Sequence, residues 1–401
     1  MAKVLFLGSG RCGKSTISKA LQWSSMDEEQ REKHPKLTPS PALPPKSTER
    51  IRFAAWPTEF ELLDGQSKSG TMHLWDFGGQ EVYHDTHRLF ASQGSLFVIA
   101  TTSPEIHRAR LDREVKDEEE GKRPKLRRQN EYRELKYWLD YIRNALGLSC
   151  VKDLAENRHR ASILIVHTGA GGRDAARDYL RDQAGSYAAL LDQGNLKLGS
   201  VDFAQREPSG LKEIIAWMQA EGGRVADQLG VRVPQRFAEV ARHCEFRWRE
   251  RRPHSEIVTW PEWVGCGRGG AESGGQNSER LEERSRAVAR YLHQCGRVFQ
   301  LTRHHRVHRV VIDLQWAVDL IYLLTVHAVV EEPVDAELKR LTGRLFSEAK
   351  LRTLLQRRAD LFAAANDDVI WPVLLDMLDQ CNVCVRVGAQ VDGCATGTPA
   401  R

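Results

Sequence analysis

The stretch Val4-Leu5-Phe6-Leu7-Gly8-Ser9-Gly10-Arg11-Cys12-Gly13-Lys14-Ser15-Thr16 decides the fold. The apolar run Val4 to Leu7 reads as a buried strand. It stops at Gly8, and Gly8…Gly13-Lys14-Ser15 satisfies G-x-x-x-x-G-K-[ST]. Glycines let such a loop wrap a phosphate with its backbone N–H groups pointing inward. The residues expected to contact a nucleotide here are Gly8, Ser9, Gly10, Arg11, Cys12, Gly13, Lys14, Ser15 and Thr16. Lys14 can reach the β- and γ-phosphates, and the Ser15 hydroxyl can ligate Mg²⁺. Thr16 to Trp23 reads as a helix whose N-terminal dipole faces the phosphates. An ordinary Gly-rich strand-to-helix turn is the competing reading of the loop alone.

Composition frames this site. A chain of 401 residues predicts two or three domains. Hydrophobic content of 41%, charged content of 28% and a net charge of +5 fit a soluble protein and do not argue for nucleic acid. The eight cysteines are scattered, Cys12 sits in the phosphate loop, and Cys381-x-x-Cys384 lacks a second pair at zinc spacing. These point to a reducing compartment. Neither a signal-peptide core nor an apolar run of about 18 residues is present. The expectation is a cytoplasmic protein with no membrane and no nucleic-acid partner.

Downstream, Met26 to Arg50 turns charged and then Pro-rich, and is expected to hold neither helix nor central strand. A G-protein arrangement puts its first switch there. Two readings stand for Thr48: the switch threonine that closes on Mg²⁺ and the γ-phosphate, or a threonine that merely precedes a strand. Ile51 to Leu63 and Thr71 to Trp75 read as strands joined by the polar turn Asp64 to Gly70. The second runs into Trp75-Asp76-Phe77-Gly78-Gly79-Gln80. Asp76 is placed to hold the Mg²⁺ hydration shell, Gly79 to offer an N–H to the γ-phosphate, and Gln80 to orient an attacking water. Lys14 and Gln80 are therefore the expected catalytic pair, and Ser15, Thr48 and Asp76 the expected metal set.

Ser95 to Ala100 and Ala161 to Val166 read as buried parallel strands, with a charged loop and the helix Glu131 to Leu146 between them. After the second strand a guanine-specific protein carries Asn-Lys-x-Asp or Thr-x-x-Asp, whose carboxylate accepts hydrogen bonds from the base. Here His167-Thr168 begins the loop, but Gly171 stands where the aspartate is expected and Asp174 comes three residues later. His167 and Thr168 are expected at the base end, and the choice between guanine and adenine stays open. A helix Asp174 to Leu191, a strand Leu196 to Val201 and a helix opening at Ser209 complete the α/β unit. Gly222 to Arg232 reads as hinge-like.

In the second half, helices are expected at Val233–Arg251, Glu279–Gln294, Asp313–Val326, Ser347–Gln356 and Ile370–Cys381. Another starts at Thr259, and a β-ribbon forms from Val298–Leu301 and Val307–Ile312. Taken together, Gly8 to Ser15, Ser47 to Ile51 and Trp75 to His84 resemble the Roc domain of the Roco proteins, relatives of the leucine-rich-repeat kinases. Ala289 to Gly296 and Val310 to Tyr322 resemble the COR domain that follows it. The resemblance implies a P-loop NTPase, Ras-like, α/β fold with a mostly parallel sheet and helices on both faces. A mainly helical COR domain with a small winged-helix-like ribbon would follow. It divides the chain into Roc (1–222), the N-terminal part of COR (223–388) and a tail (389–401). It further implies Mg²⁺ and GTP/GDP as ligands, slow GTP hydrolysis, a molecular switch coupled to COR, a homodimer and an effector protein. The distal COR subdomain, the repeats and a kinase are expected to be missing. The competing reading is a degenerate, non-hydrolysing scaffold.

Overall fold

The computed structural model describes residues 2–33, 51–77, 94–109, 112, 133–150, 153, 161–169, 177–178, 181–182, 187, 196–203, 208–228, 257–266, 278–303, 306–318, 349, 352 and 370–380. One sheet organises the N-terminal half, in the order β2-β3-β1-β4-β5-β6. Its strands are β1 (Ala2–Leu7), β2 (Arg52–Glu61), β3 (Ser67–Asp76), β4 (Ser95–Thr101), β5 (Ala161–Thr168) and β6 (Leu196–Val201). β2 pairs antiparallel with β3; the pairs β3–β1, β1–β4, β4–β5 and β5–β6 are parallel. Helices α1 (Lys14–Ser24), α2 (Glu28–Lys33), α3 (Leu135–Ala145) and α4 (Leu211–Gln228) accompany it.

The continuous apolar runs follow from burial on both faces. Val4, Phe6, Leu74, Leu96, Val98, Leu164 and Val166 pack with Ile17, Ala20 and Leu21 of α1 and Ile214 and Met218 of α4. The alternate residues, Leu5, Leu7, Trp75, Phe97, Ile99, Ile163 and Ile165, pack with Leu135, Trp138, Leu139 and Ile142 of α3. Side chains alternate along each strand, so one sequence feeds two layers. The second layer does not end with the α/β unit. Phe299, Leu301, Val311, Leu314, Trp371 and Met377 from the C-terminal half belong to the same apolar cluster.

The C-terminal half contains β7 (Ile257–Thr259), α5 (Trp260–Cys266), α6 (Ser278–Gln294), β8 (Phe299–Arg303), β9 (Arg306–Val311) and α7 (Ile370–Gln380). At the start of α5 Glu262 reaches back to Thr259, whose N–H and hydroxyl both donate to its carboxylate, at 3.0 and 2.8 Å. The expected two-stranded ribbon is a three-stranded antiparallel sheet, β7-β9-β8. β7 pairs Ile257 with Val311 and escaped notice because it is only three residues long. Val233–Arg251 falls outside the described residues, as do most of Asp174–Leu191, Ser347–Gln356 and the far end of Asp313–Val326.

Three local expectations are corrected. Met26–Arg50 does hold a helix, α2. Asp27 caps it by accepting the Gln30 N–H at 2.8 Å, Gln30 reaches back to the Asp27 N–H, and Glu29 pairs with Lys33 one turn on. The polar turn between β2 and β3 is shorter than Asp64–Gly70. The Leu62–Gln66 turn closes it, with Gly65 at φ 77°, and Ser67 already pairs with Glu61. Gly222 and Gly223 are not a hinge but lie inside α4. A Cβ on Gly222 would meet the Met72 and Phe60 side chains at 2.4 and 2.7 Å, and one on Gly223 the Glu61 carbonyl oxygen at 1.9 Å. The pair lets α4 lie against the β2–β3 hairpin.

Candidate nucleotide site

The order β3-β1-β4 places β1 where chain direction across the sheet reverses. The crevice beyond the strand C-termini at such a point is the usual ligand site of a doubly wound sheet. β1 delivers the Gly8–Gly13 loop there, and β3 delivers Asp76 one strand away, Phe6 standing opposite Asp76 in the register.

The loop is tightly wound. Gly8 has φ 132°, and a Cβ on it would lie 2.1 Å from the Ala100 carbonyl oxygen, so β4 admits only glycine there. Arg11 has φ 65°, a left-handed conformation that costs a side-chain-bearing residue about 1–2 kcal/mol. Gly13 follows at φ 90° as N-cap of α1, and no side chain caps that helix. The first turn contains no acid. This leaves the positive end of α1 directed at the crevice. The helix starts at Lys14, two residues before the expected Thr16, so Lys14 and Ser15 project from its first turn.

Lys14 is 5% exposed, and its Nζ donates to the Gly8 and Ser9 carbonyls at 2.7 and 2.8 Å. Burial pushes its ammonium below the ordinary lysine range, against the opposing fields of Cys12 and Asp76. Asp76 is 3% exposed. Burial raises its carboxyl, while a hydrogen bond from Ser15 and the charges of Lys14, Arg52 and Lys19 pull it down. Asp76 Oδ1 is buried without a hydrogen-bond partner among the described residues. Such an oxygen costs about 1–3 kcal/mol unless something binds it. An orphaned carboxylate oxygen beside a serine hydroxyl is the donor set a hard divalent cation takes, so the residues fit Mg²⁺.

The β5 side of the crevice is built around Thr168. Thr168 Oγ1 donates to the Cys12 carbonyl at 2.8 Å, Thr102 Oγ1 donates to the Thr168 carbonyl at 2.9 Å, and the Thr168 methyl would lie 3.0 Å from a Cβ on Gly13. Thr168 thus ties β5 to the phosphate loop. His167 is buried beside it at 6% exposure. Thr48, Gly79, Gln80, Gly171 and Asp174 lie outside the described residues. Two loop partners, and Thr102 behind Thr168, carry no motif. His107 Nε2 lies 3.0 Å from the Gly10 carbonyl oxygen, the Arg133 N–H donates to Ser9 Oγ at 2.8 Å, and Thr102 is placed as above. His107 and Arg133 are 97 and 124 residues from their partners, and no motif marks them.

Residues 3–157 match the family model described as "Roc: Ras of Complex, Roc, domain of DAPkinase". The match starts at β1, covers the phosphate loop and Asp76, and runs beyond α3. A segment of 109 residues is 35% identical to the "Probable serine/threonine-protein kinase pats1" of Dictyostelium discoideum, spanning 24% of this chain and 3% of that protein. Among solved structures, that of Methanosarcina barkeri Roco2 RocCORdC bound to GDP is similar over 96% of this chain and 92% of its own. The TM-score is 0.52 and the identity 16%. The α/β unit and the half that follows it therefore share the fold of that structure. Among the described residues, no helix is long and apolar enough to cross a membrane.

Proposed function

We propose that the chain is a Mg²⁺-dependent guanine-nucleotide-binding protein that hydrolyses GTP to GDP and works as a switch coupled to its COR-like half. The observation that carries this reading is a pairing. The uncapped α1 N-terminus with buried Lys14 stands beside the Asp76 carboxylate with its orphaned Oδ1. The GDP in the Methanosarcina structure supports the choice of nucleotide.

In this reading the loop amides from Gly8 to Gly13 and the ammonium of Lys14 take the β- and γ-phosphates. Lys14 already binds two carbonyls, so an arriving phosphate exchanges oxygen for oxygen without uncovering a bare charge. Ser15, Asp76 and Thr48 would hold Mg²⁺, which neutralises charge developing between the β- and γ-phosphates. Gly79 donates its N–H to the γ-phosphate, and Gln80 orients the water that attacks it. Without an arginine finger, turnover is slow by a factor of about 10³–10⁵. His167 and Thr168 line the base end.

Coupling runs through β3. Asp76 ends the strand at the phosphates, while His73 and Trp75 lie against Gly296 and Arg297 of the C-terminal half. A second copy of the chain and an effector protein are the macromolecular partners in this reading, and the cytoplasm its location. The scaffold reading rests on Gly171 in the aspartate position and predicts no nucleotide binding. Isothermal titration with GDP, GTPγS and ATP, each with Mg²⁺, separates the cases. Guanine-selective binding that Lys14→Ala abolishes supports the proposal. Binding of ATP alone, or of no nucleotide, overturns it.

A further inference from the structure

The phosphate loop is held by its own lysine and by two groups its motif does not contain, His107 and Thr168. The Gly8 and Ser9 carbonyls point to Lys14, the Gly10 carbonyl to His107, and the Cys12 carbonyl to Thr168. In a trans peptide the C=O and the following N–H point in opposite directions. A carbonyl held by a group outside the loop therefore aims the next amide inward. Thr168 fixes the Gly13 N–H in this way, and His107 fixes the Arg11 N–H. Arg11 is also the non-glycine residue the loop keeps at φ 65°, so its peptide is the one with most to gain from relaxing.

His107 is built into this position. It is 2% exposed. It lies in the helical turn at residues 104–109, which Ser103 caps by accepting the Ile106 N–H at 3.3 Å, and its own N–H donates to the Ser103 carbonyl at 2.9 Å. A carbonyl oxygen only accepts, so the contact assigns the proton to Nε2.

We propose that His107 is a positioning residue of the phosphate loop: its Nε2–H holds the Gly10 carbonyl outward and so turns the Arg11 amide toward the nucleotide phosphates. This rests on the nucleotide-binding reading above, and adds to it a residue outside the motif that sets phosphate affinity. Nothing in the reaction passes through the imidazole itself.

The test uses the full chain with His107 replaced by Gln, Asn or Leu. Glutamine carries an amide N–H as far as Nε2 reaches. Asparagine is equally polar but too short, and leucine keeps bulk without a donor. GDP affinity is measured by titration with Mg²⁺, and hydrogen exchange of peptides covering residues 8–13 is measured without ligand. The expected result is a roughly 3- to 10-fold loss of GDP affinity for Asn and Leu, the worth of one hydrogen bond, with Gln within about 2-fold of wild type. Loop exchange should quicken in Asn and Leu and stay near wild type in Gln. Equal behaviour of Gln and Asn in both measurements overturns the proposal, and so does wild-type behaviour of Leu. Should the unmodified chain bind no GDP, the nucleotide reading fails. Loop exchange then still decides the role of His107, because it needs no ligand.

Discussion

Replacing Lys3 by methionine removes a cation from the interior. Lys3 lies in β1 and is 2% exposed, with its Nζ 5.5 Å from the centre of the Trp75 ring. Its stem packs against Gly296, where an added Cβ would meet Lys3 Cδ at 2.8 Å. Burial lowers its pKa from 10.5 to about 7, with Cys295 opposing. A gap of that size corresponds to roughly 4–5 kcal/mol held against the folded state when the lysine is protonated in both states. Between the two values the unfolded chain carries a proton that the native chain has lost, so stability rises with pH from about 7 towards 10.5. Below 7 both states are protonated and the penalty is constant. His293 and His73, lowered by burial to about 4 and about 3, act below this window. The Cys295 thiol, raised by burial above its ordinary value of 9.0, opposes stability only above it. From pH 7 to pH 9 Lys3 should therefore return about 2 kcal/mol. Urea unfolding followed by tryptophan fluorescence at both pH values measures this. Wild type should become more stable by about that amount relative to Lys3→Met, and the variant should be the more stable protein at pH 7. Taking the difference between the two cancels Lys14, whose burial acts in the same direction. Parallel pH dependences would refute the argument.

Gly223→Ala sets about 1 kcal/mol of gained helix propensity against a Cβ placed 1.9 Å from a backbone oxygen. The clash wins, and a net loss of about 1–3 kcal/mol is expected in chemical denaturation. Asp76→Asn should remove the Mg²⁺ dependence of nucleotide affinity; a titration with and without Mg²⁺ that still shows full dependence excludes Asp76 from the metal set. Gln80→Leu should keep GTPγS affinity and lower phosphate release in single-turnover assays, and unchanged turnover would exclude Gln80 from positioning the water.

The sheet was legible because its strands are buried on both faces: Val4–Leu7, Ser95–Ala100 and Ala161–Val166 are short, apolar and bounded. The phosphate end was legible because geometry forces glycine at Gly8 and Gly13, and lysine follows. What escaped was set by distance or by context. His107 and Arg133 reach the loop from about a hundred residues away, and a lone histidine in a polar stretch carries no spacing to read. Gly222-Gly223 reads as a hinge because glycine frees the backbone; here its missing side chain matters instead, and only the packing of α4 on β2 reveals that. α2 is the charged run ahead of the prolines, and its stability is local, resting on the Asp27–Gln30 box. Thr48, Gly79 and Gln80, to which the proposed hydrolysis gives roles, fall outside the described residues.

The shared apolar layer has a practical consequence for dissecting the chain. Trp75, Phe77, Phe97 and Trp138 belong to one cluster with Phe299, Leu301, Val311 and Trp371. A fragment ending after α4 would keep every phosphate-loop residue and lose the C-terminal members of that layer. Its sheet would then present aromatic surface to water, the kind of patch that drives association. Expressed alone, the α/β half should be sticky, and its self-association would reflect a torn core rather than the habit of the intact molecule.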